Sequence, residues 1–366
     1  MGKICFIMNQ APRYVESSYL LFDKEFDIDW FFGKSNDGIK GMDLSLLKSV
    51  RILPGGRLSR IWWLKGALGL AFKRNYTNYI MIGEPYLLTT WVLSFLIKVF
   101  NTKAQILFWT HGWYGKESKF RTILKKIYFH LADDILLYGN YAKQLMIKEG
   151  FHSQKLHVIH NALHHKQQVE LRNTIKPSSI MHEHFKNDYP TIVMIGRLNL
   201  RKKLDMLIDA VTRLCERGEY YNILFIGDGE DRESLEIMVA EKNITQQVWF
   251  YGASYDEEVN SMLLINSDLC VVPGDIGLTA IHALTLGVPT ISHNCFMYQG
   301  PEFEAIKQDV TGDFFEHDNV NSLADTISNW FKNHRDRDIT RQRCYKEIDE
   351  YWTPEFELNV LKQVLK

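Results

Sequence analysis

The stretch from Asp268 to Ile291 sets the architecture. Leu269 to Val272 is a short apolar run of the length of a buried strand. Pro273 and Gly274 end it, and Gly277 permits a tight backbone approach. Thr279 to Leu286 reads as a helix with Gly287 just past its end, and Val288 to Ile291 reads as the next strand. A strand, a glycine-bearing turn, a helix and a strand form one parallel crossover. Its turn offers unpaired N–H groups and the positive end of a helix, both of which attract an anion such as phosphate. The alternative is an ordinary crossover with no ligand.

The same alternation runs through both halves of the chain. In the first, Lys3 to Met8, Phe26 to Phe32, Tyr79 to Ile82, Gln105 to Thr110, Asp134 to Tyr138 and the run from Leu156 read as strands. Helices are expected from Ser18 to about Phe22, over the apolar run Tyr86 to Phe100, and over Lys119 to Leu131 and Asn140 to Glu149. From about residue 164 the chain turns polar and rich in His, Lys, Gln and Asn, as a linker would. The pattern restarts at Thr191 to Ile195. Strands follow at Asn222 to Ile226 and Val248 to Tyr251, and helices at Leu204 to Arg217, Arg232 to Lys242, Glu257 to Ile265 and Asn321 to Asn333. Two doubly wound α/β domains are expected, with a cleft between them. The boundaries fall at 1–170, a linker at 171–189, a second domain at 190–345 and a C-terminal helix at 346–366 that crosses back to the first domain.

The 366 residues suffice for two domains, and a formal net charge of −1 argues against nucleic acid as the main partner. Cys5, Cys215, Cys270, Cys295 and Cys344 are scattered, with no metal spacing and no disulfide framework, so a reducing cytoplasm is expected. The run from Met1 to Met8 reads as a strand and not as a signal peptide. Tyr86 to Phe100 is too short to span a bilayer, which takes about 20 residues. Asp27 and Asp29 form a D-x-D inside a strand, which argues against a metal there. Arg57 to Arg74 and Lys119 to His130 mix aromatic and basic residues. Each reads either as a helix lying on an anionic membrane or as a half-buried helix with a solvated basic face.

Four pieces of the second half, over residues 190 to 335, resemble glycosyltransferase family 4, the "glycosyl transferases group 1", whose fold is GT-B. Gly196-Arg197-Leu198 followed by Lys202 matches the family's G-R-L-x-x-x-K. Phe225 to Glu230 matches a strand ending in G-x-G through Gly227, and Tyr251-Gly252 resembles an F-x-G turn near the nucleotide base. Gly274-Asp275-Ile276-Gly277-Leu278-Thr279 followed by His282 aligns with E-G-F-G-L-x-x-L-E-A, with Gly274 and His282 where the family has two glutamates. Gly300 to Gly312 resembles P-E-x-x-x-x-G-x-T-G, with Glu302 or Glu304 as the family's glutamate. In the first half, His111-Gly112 matches a histidine–glycine after a central strand, and the family's glycine-rich loop after the first strand is absent.

The resemblance implies a retaining, metal-independent glycosyltransferase with no cofactor. It would move a hexosyl unit from a UDP- or GDP-linked donor to a glycan or lipid-linked glycan, as in bacterial lipopolysaccharide or other surface polysaccharide synthesis, at the inner face of the cell membrane. Arg197 and Lys202 would stabilise the leaving diphosphate. His111 would orient the sugar. The amides of Ile276, Gly277, Leu278 and Thr279 would meet phosphate, with Asp275 a partial substitute for the first glutamate and His282 a ribose contact. Gly196, Gly227 and Gly252 would shape the donor site. Tyr14, Glu16, Ser17 and Glu84 are candidate acceptor contacts. Two other readings stay open: a GT-B-like protein that binds a nucleotide sugar or glycan without transfer, and a nucleotide-sugar epimerase on the same fold.

Overall fold

A computed structural model describes residues 2–34 and 40–365. The chain divides into two compact units, one running to His164 and resuming at Thr353, the other spanning His165–Trp352. Each is built on one parallel sheet.

The first unit contains β1 (Lys3–Met8), α1 (Glu16–Glu25), β2 (Ile28–Gly33) and β3 (Val50–Leu53). Then come a hairpin of β4 (Gly55–Leu58) and β5 (Ile61–Leu64), a 3-10 segment (Ala67–Phe72) and β6 (Tyr76–Ile82). The rest is α2 (Leu88–Phe100), β7 (Gln105–Thr110), α3 (Lys119–Phe129), β8 (Asp134–Leu137), α4 (Asn140–Lys148) and β9 (Leu156–Val158). Its sheet order is β3-β2-β1-β6-β7-β8-β9, and every pairing is parallel. From β6 onward each strand adds on the same side, so right-handed crossovers place α2, α3 and α4 on one face. The cores show this layering. Leu93, Ile97, Tyr128, Phe129 and Met146 share one cluster, and Tyr19 and Phe22 of α1 belong to the other. Asp27 and Asp29 both meet Lys3, and Asp29 also accepts from Ser49 and Tyr76, so the D-x-D fastens neighbouring strands together.

The second unit begins with α5 (His165–Thr174) and α6 (Ile180–Phe185). Next are β10 (Thr191–Ile195), α7 (Leu204–Glu216), β11 (Asn222–Ile226), α8 (Arg232–Glu241), β12 (Val248–Gly252) and α9 (Glu257–Ile265). It continues through β13 (Leu269–Val271), α10 (Thr279–Thr285), β14 (Thr290–His293), β15 (Gly312–Phe315), α11 (Val320–Asn333) and α12 (Arg337–Tyr351). The order β12-β11-β10-β13-β14-β15 is again wholly parallel. The central strands read as unbroken apolar runs because both faces are covered; β10, β11 and β13 are buried at every position. The last helix, α13 (Pro354–Val364), returns to the first unit and packs on α1.

Several expectations need correction. Arg57 to Arg74 is not a helix. Ser59 takes a left-handed turn (φ 55°), and Trp63 lies so close over Gly56 that a Cβ there would sit 2.5 Å from the indole ring. Pro54, two glycines and the β-prone Ile61-Trp62-Trp63 favour a hairpin over a helix. The supposed linker at 171–189 carries the end of α5 and all of α6, and both helices belong to the second unit. Arg172 pairs with Asp349 at 2.6 Å and stacks on Tyr345, which fastens α5 to α12. The unit boundaries therefore lie at 164/165 and 352/353, not at 170 and 345. The C-terminal segment is two helices, since Thr353 caps α13 by accepting from Phe356 N and Pro354 opens it.

Candidate functional site

In each sheet the chain reverses direction beside its first strand, and ligands of open α/β sheets bind where strand ends face such a switch point. In the second unit the switch lies between β10 and β13. The loop after β10 holds Gly196, Arg197 and Lys202; the loop after β13 holds Gly274 to Thr279. The structure brings these two sets together.

Arg197 is exposed, and its guanidinium has no side-chain or carbonyl partner among the described residues. Lys202 is half-buried. Its ammonium donates to Asp275 O (2.8 Å) and Ile276 O (2.9 Å), which leaves one of its three N–H groups for a ligand. Burial pulls its pKa below the usual lysine value, against the opposing fields of Asp275, Cys270 and Glu302. Gly277 has φ 51°, in the left-handed region, and a Cβ on it would come within 4.0 Å of Lys202 Nζ. That contact is an ordinary one, so it is the left-handed backbone that calls for glycine there.

The turn's amides are not all available. Gly274 N donates to Lys202 O and Asp275 N to Arg201 O, lacing the two loops together. Ile276 N donates to Gln299 Oε1 at 2.9 Å, so its expected phosphate role is corrected: the amide is already used. The amides of Gly277, Leu278 and Thr279 have no partner among the described residues, and these three suit phosphate oxygens. Because α10 has only seven residues, what the turn offers is individual N–H groups more than a macrodipole. The Thr279 hydroxyl is committed to Ile195 O (2.8 Å), which ties the helix start to the end of β10.

Gly274 cannot carry a carboxylate in this loop, for a Cβ on it would lie 1.9 Å from Arg201 O. Asp275 does not replace it, since its two oxygens accept from Arg201 (2.6 Å) and Gly300 N (2.8 Å). Gly227 is likewise a packing glycine. Its Cβ would meet Gly196 O at 1.8 Å, so it lets β11 close on β10. Gly252 has φ 96° beside Arg232, whose guanidinium lies over the Phe250 ring. Glu302 is buried and lies near enough to act on the Lys202 ammonium, whereas Glu304 is only partly buried and its carbonyl accepts from Lys307.

His282 has a partner that the sequence did not reveal. Its Nε2 lies 2.9 Å from Glu257 Oε1 at the start of α9, close in distance but without hydrogen-bond geometry, and the same oxygen accepts from Gln168 of α5 at 2.8 Å. Gln299 was also missed. Besides holding Ile276 N, it donates to Ser292 Oγ and His293 O. No local pattern marks Glu257 or Gln299, because the site groups they meet, His282 and Ile276 N, lie more than twenty residues away.

In the first unit the switch lies between β1 and β6, and a cavity of about 520 Å³ opens there. Tyr14, Glu84 and His111 line it together with Lys116, Lys125 and Trp109. Burial raises the Glu84 carboxyl, while its bond from Tyr86 N and the field of Lys125 oppose the shift. Lys125 pairs with Glu117 at 2.6 Å and donates to Gly112 O. His111 sits beside the Tyr138 ring, 4.7 Å away. Glu16 and Ser17 do not line this cavity, and the Ser17 hydroxyl is engaged with His164 Nδ1 at 2.9 Å. A further hollow of about 480 Å³ in the second unit lies by the strand starts at Thr191 and Asp268 and contains none of the cradle residues.

The chain is similar to several known proteins. Alpha-D-kanosaminyltransferase of Streptomyces kanamyceticus is 25% identical over 111 residues, covering 30% of this chain and 28% of that enzyme. GDP-mannose-dependent alpha-(1-6)-phosphatidylinositol dimannoside mannosyltransferase of Mycobacterium tuberculosis is 31% identical over 103 residues, covering 27% of this chain and 26% of the enzyme. The chain thus spans less than a third of the length of each. Over the whole length the fold matches the lipopolysaccharide outer core galactosyltransferase WaaB in its apo form, with TM-score 0.74, 18% identity and 99% of both chains covered. It also matches Anabaena HepE in complex with UDP, with TM-score 0.72, 15% identity and 99% of both chains. The architecture is therefore that of the GT-B glycosyltransferases, two parallel-sheet Rossmann-like α/β domains. Residues 177–349, and with them every cradle residue named above, match the family model "Glycosyl transferases group 1".

Proposed function

We propose that the protein is a glycosyltransferase that moves a sugar from a nucleotide-diphospho-sugar to a glycan hydroxyl. One observation carries the reading. An unpartnered Arg197 shares a switch-point cradle with Lys202, whose ammonium two carbonyls hold beside Gly277. When the bond from the anomeric carbon to the diphosphate breaks, its electron pair leaves with the phosphate oxygen. Arg197, Lys202 and the amides of Gly277, Leu278 and Thr279 would stabilise that charge. The acceptor oxygen forms the new bond to the anomeric carbon, and its proton passes to the departing phosphate oxygen. The product would keep the donor's configuration. With two cations facing the leaving group, the reading needs no metal.

The relatives and the structural neighbours support a UDP- or GDP-linked donor, because HepE was solved with UDP and the mycobacterial relative is GDP-mannose-dependent. His282 with Glu257 would meet the ribose, and Glu302 rather than Glu304 the sugar. His111, Tyr14 and Glu84 would meet the acceptor in the first-unit cavity. A glycan or lipid-linked glycan of a bacterial surface polysaccharide fits the likeness to WaaB. Cytoplasmic location at the inner membrane belongs to the same proposal.

The deciding experiment is donor turnover by Arg197→Ala and Lys202→Ala proteins that retain the wild-type melting temperature. Each is expected to lose about 10²- to 10³-fold in kcat. Near wild-type turnover in both would refute the reading. A second reading, binding without transfer, is favoured by Gly274, where no carboxylate fits. Calorimetric donor binding without transfer to any of a broad acceptor panel would select it.

A further inference from the structure

Helices α2 and α3 lie on the same face of the first unit and touch through Trp91 and Tyr128, whose rings are 4.9 Å apart. Such a layer ordinarily turns polar residues outward. Here the outward residues are apolar at helical spacing. Leu88, Val92, Phe95 and Val99 run along α2, and Phe120, Ile123 and Ile127 along α3. Phe95 is 63% exposed and Phe120 76%. The exposed Phe72 and Phe100 hold their rings 4.8 Å apart at the end of α2. Leu58, at the end of β4, is 73% exposed.

Charge follows the same segment. Residues 50–131 contain thirteen Lys and Arg against Glu84 and Glu117, a net +11 in a chain whose total is −1. Arg57, Arg60, Lys73, Arg74 and Lys119 are all exposed. No helix among the described residues is long and apolar enough to cross a membrane.

We propose that this face of the first unit docks on an anionic lipid bilayer, with the apolar side chains of α2 and α3 at the acyl boundary and the surrounding cations on the headgroups. Exposed aromatic and aliphatic residues interleaved with Lys and Arg are what an interfacial element requires. A second copy is the poorer occupant, since it would bring another strongly positive segment to the same surface. The proposal stands independently of the transferase reading.

The test is flotation of the full chain with phosphatidylglycerol–phosphatidylcholine vesicles and with pure phosphatidylcholine vesicles. Partition is expected on the anionic vesicles and should fall with added salt. Phe95→Ser with Phe120→Ser should reduce it at least about tenfold. Arg57→Ser with Arg60→Ser should reduce it by about fivefold per cation removed. Unchanged melting temperatures would show that the variants fold. The proposal is overturned by any of four results: absence of partition, equal partition on neutral vesicles, partition unaffected by the variants, or a lipid-free dimer that the paired Phe variant abolishes. Turnover of a soluble acceptor is expected to be unchanged in these variants, so a negative result would remove the inner-membrane location and leave the proposed transfer chemistry untouched.

Discussion

Glu357 on α13 is 3% exposed, and its Oε2 has no hydrogen-bond partner among the described residues. Burial raises its carboxyl to about 8, while bonds from Ser18 of α1 and the Ala162 backbone pull the other way. The folded protein therefore holds a proton on Glu357 that the unfolded chain releases above about 4.5. Where the native state binds more protons, stability falls as pH rises. The contribution is whole below pH 4.5, declines from there to about 8 and is then fully lost. At about 1.4 kcal/mol per pH unit over a shift of about 3.5 units, the loss is about 5 kcal/mol. Glu357→Gln removes the titration but leaves an amide donor without a partner, which costs about 1–3 kcal/mol at every pH. The variant is expected to be less stable than wild type at pH 4.5 and more stable by roughly 2–4 kcal/mol at pH 8. For a unit of this size that is a gain of several degrees in the melting transition. Scanning calorimetry of both proteins across this range measures it. The two stability curves should cross. Parallel curves would refute the assignment of a protonated buried carboxyl that joins α13 to α1.

Two further predictions concern the cradle. Restoring a family-type carboxylate with Gly274→Glu should not improve donor binding, and even Gly274→Ala should lower stability by about 1–3 kcal/mol or more, because its Cβ would meet Arg201 O at 1.9 Å. A Gly274→Glu protein with wild-type melting temperature and tighter donor binding would show that the loop geometry is wrong. Glu257→Gln and His282→Ala should each raise the donor KM with less effect on kcat, since their 2.9 Å pair would hold the ribose and not the reacting carbon. Equal loss in kcat would refute the ribose assignment.

Much of the fold was legible in the sequence because both sheets are parallel and buried. A parallel strand is a short apolar run, and its crossover helix is a longer amphipathic one, so β7, β10, β11 and α9 were found at their true ends. Where the local signal was mixed, the reading failed. The aromatic and basic residues from Arg57 to Arg74 suit a helix in composition, but the turn at Ser59 and the packing of Trp63 on Gly56 make a hairpin. The polar stretch after residue 164 lacks the apolar stripe of a core helix. Tertiary contacts hold α5, through Gln168 on Glu257 and Arg172 on Asp349.

The site divides along the same line. Arg197, Lys202 and Gly277 could be named from the chain alone, because their spacing within a strand-end loop is a local property. Tertiary structure decided which of their neighbours are free. Gln299 takes the Ile276 amide, Asp275 is spent on Arg201 and Gly300, the carbonyl of Arg201 excludes any side chain from Gly274, and Glu257 reaches His282 from another helix. Local periodicity and turn chemistry are written in neighbouring residues. Hydrogen-bond occupancy and excluded volume belong to loops that meet only when the strands between them have paired.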